Sequence, residues 1–201
     1  MSTLTYQGHG SYRLQTNGGQ VIYIDPYAGE GYDVPADLIL VTHDHYDHNE
    51  IDKPARKPGC AVITWKEALD QGRYGTFALG DIQIETVPAS NQNHDPAVCV
   101  GFVLRFDGLS LYAAGDTSET EAMHTLLPGY HLDYALLPTD GVYNMGPEEA
   151  SRCAALIGAR HSIPIHCKPE ALFDREQALQ FHADGRLIVE PGETIQLTCG
   201  K

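Results

Sequence analysis

Hydrophobic and polar positions divide the chain into two rhythms. In the first half the apolar runs are short and broken by glycine, proline or asparagine. Residues 4–6, 12–16 and 20–25 read as three strands, with Asn17-Gly18-Gly19 as a tight turn between the second and third. Leu38-Ile39-Leu40-Val41 is a compact branched run after Pro35, the pattern of a buried strand. Residues 60–64 form a further strand and 65–71 a short helix. Residues 82–87 alternate polar and apolar side chains, as a half-buried strand does. Residues 98–106 and 109–114 pair across the Asp107-Gly108 turn.

The second half alternates helix and strand. Residues 118–127 read as a helix capped by Ser118 or Thr117. Residues 133–137 are a strand, and 147–157 a helix with Pro147 in its first turn and Gly158 at its end. A strand at 161–166, a helix at 174–182 and strands at 187–190 and 194–197 follow. Strands first, then alternation, predicts an α+β fold with a sheet-on-sheet core and helices outside. There is no solenoid repeat, low-complexity tract or linker, so residues 1–201 are expected to form one domain.

Composition narrows the partners. The net charge is −14, with 13 Lys plus Arg spread along the chain, so neither nucleic acid nor an anionic membrane is an expected partner. A small-molecule substrate fits better. No run is long enough to span a bilayer. The N-terminus has no basic segment or apolar signal core, and the five cysteines are odd in number and scattered. Both features point to a cytoplasmic protein with reduced thiols.

The densest chemistry follows the run at 38–41, in Thr42-His43-Asp44-His45-Tyr46-Asp47-His48. Imidazole and carboxylate are ligands of zinc and similar divalent ions. On an extended backbone His43 and His45 point the same way, with Asp44 on the opposite face. Asp47 and His48 lie beyond a turn and can address a second ion. Asp116 stands between a strand and a helix start, and His166 at a strand end, both able to join such a cluster.

His43-Asp44-His45-Tyr46-Asp47-His48 matches the His-x-His-x-Asp-His signature of the metallo-β-lactamase superfamily. The wider chain resembles its small bacterial metal-dependent hydrolases, the branch with ascorbate-6-phosphate lactonase-like proteins. The resemblance is carried by Gly8-His9-Gly10-Ser11-Tyr12, Ile24-Asp25-Pro26-Tyr27, Val87-Pro88-Ala89, Gly115-Asp116-Thr117 and Ile163-Pro164-Ile165-His166. It implies a four-layer αββα sandwich and a metal site built from His43, His45, Asp47, His48, Asp116 and His166, with Asp116 bridging two ions and His9 orienting a ligand. Many members carry a further histidine near the positions of Ser90 and Asn91, where this chain has none. Three arrangements stay open: His94 reaches in, Asn91 substitutes, or the first ion has only His43, His45 and Asp116 from the protein. The cofactor is expected to be one or two divalent ions, zinc first, with Mn²⁺ or Fe²⁺ open.

The expected activity is a hydrolase that uses metal-activated water on a small lactone or phosphoester. Asp47 is the expected catalytic group, orienting the water or passing on its proton. Tyr143, Asn144 and Lys168 are candidate substrate contacts. The rival readings are a non-catalytic metal- or ligand-binding protein and a phosphodiesterase or nuclease of the superfamily.

Overall fold

The computed structural model describes residues 1–200. The first sheet is built from β1 (Thr3–Gly8), β2 (Ser11–Gln15), β3 (Val21–Ile24), β4 (Ala36–Leu40) and β5 (Arg56–Ile63). Helix α1 (Trp65–Ala68) and the two-stranded hairpin β6 (Leu69–Asp70) and β7 (Arg73–Tyr74) lead to β8 (Thr76–Leu79) and β9 (Ile82–Pro88). Then come β10 (Val100–Phe106), β11 (Leu109–Ala113), α2 (Glu121–Thr125), β12 (Tyr134–Pro138), α3 (Pro147–Ile157), β13 (His161–Ile165), α4 (Arg175–Gln180) and β14 (Thr194–Gln196). One sheet runs β14-β1-β2-β3-β4-β5 and the other β13-β12-β11-β10-β9-β8.

Period-two alternation assigns the faces. Phe102 and Leu104 on β10 point between the sheets with Leu4, Ile22, Leu38, Leu40, Leu111 and Ile163. Val103, one residue out of phase, points the other way and packs with Tyr112, Ala135 and Leu137 under Met123 and the face of α3 formed by Ala150, Cys153, Ala154 and Ile157. Those α3 positions recur at helical spacing, Pro147 opens the helix, and Gly158 closes it at φ 67°. The outer face of the first sheet is covered by the loop at 26–35, whose Tyr32 ring stacks on Tyr23 with centroids 5.3 Å apart. This is the αββα sandwich.

Three local expectations need correction, and one strand has no counterpart among them. The helix expected over 65–71 ends at Ala68. Thr64 and Glu67 form a capping box that starts it, but Gln71-Gly72 turns the chain back as a hairpin. The helix expected from 118 begins at Glu121, with Thr120 at its N-cap position. Thr117 is occupied elsewhere, accepting from the Ser90 amide and donating to the Ser90 carbonyl. Residues 187–190 do not form a strand. The Leu187 amide donates to the Ser162 carbonyl, but Pro164, facing the same edge two residues on, has no N–H to extend a ladder. Strand β8, an edge strand with exposed Thr76 and Ala78, carries too weak a pattern to be read from sequence.

Each sheet turns parallel toward one of its edges: β3 with β4 and β4 with β5 in the first, β11 with β12 and β12 with β13 in the second. Chain exiting the C-terminal ends of these strands supplies Asp25, Thr42, His43, Asp116, Asp140 and His166.

Two glycines separate strain from collision. Gly59 has φ +83° with open space around it, whereas a Cβ on Gly29, at φ +67°, would lie 2.0 Å from the Gln7 carbonyl oxygen. Gly59→Ala should cost about 1 kcal/mol, the ordinary penalty of a left-handed residue. Gly29→Ala should cost at least about 3 kcal/mol, because β1 or the loop must move. Urea midpoints at constant m-value check both. Equal losses would refute the collision.

Candidate metal centre

Asp116 is buried, and four imidazoles face it. Its Oδ2 lies 4.0 Å from His43 Nε2, 3.4 Å from His94 Nε2 and 3.5 Å from His166 Nε2, and its Oδ1 lies 3.4 Å from His48 Nε2. All four imidazoles are buried. None of these Nε2 atoms has a hydrogen-bond partner among the described residues. A buried polar atom left unpaired costs about 1–3 kcal/mol, so four together mark a missing occupant. Two ligands about 2.1 Å from a tetrahedral ion are about 3.4 Å apart, close to the spacing seen here. The donor set therefore fits a divalent ion.

Each imidazole is held from behind. The His48 Nδ1 lies 2.9 Å from Asp25 Oδ2. The single hydroxyl proton of Thr42 goes to the same Asp25 oxygen at 2.7 Å, so Thr42 Oγ1 accepts from His43 Nδ1–H at 3.0 Å. The His94 Nδ1 donates to Asn91 Oδ1 at 2.8 Å, while Asn91 Nδ2 donates to the Tyr143 carbonyl and to Asn144 Oδ1. The His166 Nδ1 stands 3.2 Å from Asp140 Oδ2. Asp140 also takes the backbone amides of Val142 and Tyr143 at 2.7 Å and the Asn144 side chain at 2.8 Å. In the neutral rings of His43 and His94 the proton on Nδ1 leaves the Nε2 lone pair pointing inward, and Asp25 and Asp140 stand behind His48 and His166 so that their Nε2 atoms face the same point.

Beside Asp116, whose Oδ2 approaches His43, His94 and His166 and whose Oδ1 approaches His48, the ligand atoms include two groups that could each hold an ion. His43, His45 and His94 form one; Asp47, His48 and His166 form the other, with His9 beside them. Asp47 Oδ2 is 3.0 Å from His9 Nε2, and the His9 ring lies over His166 with centroids 3.7 Å apart. His45 is exposed, with its ring 4.6 Å from that of His43. Asp44 turns outward and accepts from Asn49. Of the three arrangements left open at residues 90–94, the geometry is that of His94 reaching in. The loop closes through paired backbone hydrogen bonds between Asn91 and His94, which leaves Asn91 behind the imidazole rather than beside the ion site.

Electrostatics follow from this crowding. Burial would raise the Asp116 carboxyl, but His166, His48 and His43 outweigh it and hold it well below the carboxylate range. Burial opposes charge on His48, yet Asp116 and Asp25 hold its pKa well above the usual imidazole value. His166 is raised in the same way by Asp116 and Asp140. His43 and His94 are lowered, chiefly by burial. Burial also works against the Asp47 carboxylate, but the His9 hydrogen bond and His48 bring its pKa down to about 2.

A cavity of about 270 Å³ opens over the cluster, lined by His9, His45, Asp47, His94, Asp116 and His166, with Tyr46, Asn93, Tyr143, Pro169 and Glu170 around its mouth. Of the candidate substrate contacts, Tyr143 reaches this cavity. Asn144 is buried beneath it, bonded to Asp140 and Asn91. Lys168 points elsewhere and pairs with Asp174 at 3.4 Å. Sequence reasoning assigned no role to Asp25, Asp140 or Thr42. Their shared signal is position, just beyond the ends of β3, β12 and β4.

The family model for the β-lactamase superfamily domain matches residues 3–166. The chain belongs to the metallo-β-lactamase superfamily. Within it, this superfamily member falls among the UPF0173 metal-dependent hydrolases. It is 37% identical to one from Methanoregula boonei over 181 residues, covering 81% of each chain. It is 34% identical to one from Methanoculleus marisnigri, covering 96% of each. A crystal structure of a putative metal-dependent hydrolase from Parabacteroides distasonis superposes with a TM-score of 0.76 at 27% identity, over 94% of this chain and 93% of that one. Igni18, a metallo hydrolase from Ignicoccus hospitalis, superposes with a TM-score of 0.73 at 25% identity, over 97% and 98%.

Removing the support behind one imidazole tests its orientation. Asn91→Ala leaves His94 in place but frees its ring, and should weaken binding at the His43–His45–His94 site about 10- to 100-fold. Competition with a chromophoric zinc chelator reads this directly. Affinity equal to the parent protein's would show that Asn91 does not orient His94.

Proposed function

We propose that this metal-dependent hydrolase acts on a small ester-type substrate, a lactone or a phosphoester, with zinc as the first candidate ion. The observation that carries the reading is the set of unpartnered Nε2 atoms converging on Asp116 at the floor of a cavity of about 270 Å³, the scale of a small ligand. His43, His45, His94 and Asp116 would hold one ion; Asp47, His48, His166 and Asp116 the other. Bound there, divalent ions supply Lewis acidity and make water nucleophilic near neutral pH.

The chain's own residues supply position and proton handling. Asp47 is kept ionised by His9, so it can accept a hydrogen bond from water and fix its direction. The His9 Nδ1 faces the Ala171 carbonyl while its Nε2 faces Asp47. Between them these contacts fix the His9 ring at the cavity wall, where it holds Asp47 in place. Asp25, Asp140 and Asn91 keep the Nε2 atoms aimed as substrate enters. The non-catalytic alternative leaned on the absent loop histidine, and His94 within the cluster weakens it. Cys99, Cys153 and Cys167 are buried and free, which supports a reducing, cytoplasmic setting.

The test is a panel of lactones, thioesters and phosphodiesters with added Zn²⁺ or Mn²⁺, beside metal analysis of His45→Ala and Asp116→Ala. Turnover should disappear on chelation and return with metal. Asp116→Ala should lose bound metal and at least about 10³-fold in kcat/KM. Unchanged metal content in both variants would overturn the ligand assignment, and tight metal binding without turnover across the panel would overturn the enzymatic one.

A further inference from the structure

The cavity mouth has its own chemistry. Its rim carries the phenol rings of Tyr46 and Tyr143, both exposed, and the carboxylate of Glu170. No Lys or Arg lines the cavity among the described residues. The two nearby lysines are engaged elsewhere: Lys168 with Asp174, and Lys53 with Glu50 and the Tyr27 carbonyl. Glu170 makes no ion pair or side-chain hydrogen bond among the described residues. It sits at φ +58°, a conformation few non-glycine residues adopt. The turn is anchored on both sides, by the His9 amide donating to the Leu172 carbonyl and by the Lys168–Asp174 pair. Strained backbone of this kind persists where the surroundings hold it, often at ligand-binding positions. Tyr46 is steadied by an edge contact with Tyr27, with centroids 5.8 Å apart.

At the mouth, away from the ion-binding floor, two phenol rings and one unpaired carboxylate with no Lys or Arg among them form a receptor for positive charge. They repel an anion on the substrate's body. Resting on the hydrolase reading above, we propose that Tyr46, Tyr143 and Glu170 select a substrate whose non-reacting end carries an ammonium group, primary or quaternary. The scissile ester lies over the Asp116 cluster and the cation sits at the mouth. Glu170 is a specificity-determining residue in this arrangement, remote from the reacting atoms. An acidic protein surface, net −14, draws such substrates toward the mouth.

The test measures binding as well as turnover. Zinc-loaded protein is titrated with benzyltrimethylammonium, benzyl alcohol and benzylsulfonate by calorimetry. The cation should bind about tenfold tighter than the alcohol, and the sulfonate weakest. Glu170→Gln should remove most of the preference for the cation, and Tyr143→Ala should weaken the cation and the alcohol together. Matched aryl esters bearing trimethylammonium, neutral and sulfonate groups should follow the same order in KM. A cation that binds no tighter than the alcohol, or Glu170→Gln with an unchanged preference, overturns the proposal. Binding in the expected order without hydrolysis of any ester overturns the hydrolase reading and leaves the receptor standing.

Discussion

A buried carboxylate faced by four buried imidazole nitrogens, none with a hydrogen-bond partner, is not a stable arrangement by itself. Asp116 alone cannot satisfy His43, His48, His94 and His166, at distances of 3.4 to 4.0 Å. The rings stay turned toward it because Thr42, Asp25 and Asn91 bond three of them from the other side and Asp140 stands 3.2 Å behind the fourth. The sandwich exists to bring these supports together: they arrive from both sheets and would not meet if either sheet slipped by one residue. The apolar layer between the sheets sets the register, and the register sets the site. Gly10 shows how close the fit is: a Cβ there would lie 2.6 Å from the His48 ring.

Much of this was legible in the chain. The run 38–41 ending in two imidazoles announced a strand delivering ligands. Asp116 and His166 could be read as candidates because each lies where an apolar run gives way to a turn. The hairpin at 98–114 and the helix at 147–157 appear as their patterns imply, because one has a turn dipeptide and the other proline, glycine and helical spacing. Patterns fail where tertiary context decides. Residues 187–190 have strand composition, but the neighbouring edge at Pro164 offers no donor. Residues 118–120 have helical composition, but Thr117 and Ser118 are tied to Ser90.

The supporting residues were harder to read for a physical reason. Asp25, Asp140 and Asn91 act through another side chain, so their importance depends on a geometry that only folding creates. A lone aspartate after a strand is also an ordinary turn residue. His94 is the sharpest case. Its distance from the motif gave it no claim over Asn91, and only the folded Asn91–His94 bridge puts the imidazole in front, facing Asp116, and the amide behind it.

Diffraction data collected on either side of the zinc absorption edge, from crystals of zinc-reconstituted protein, test the central claim most directly. The account predicts anomalous density on both sides of Asp116: one peak within bonding distance of His43, His45 and His94, the other within bonding distance of Asp47, His48 and His166. Density confined to other surface carboxylates, with the four imidazoles still facing an unbridged Asp116, would contradict it.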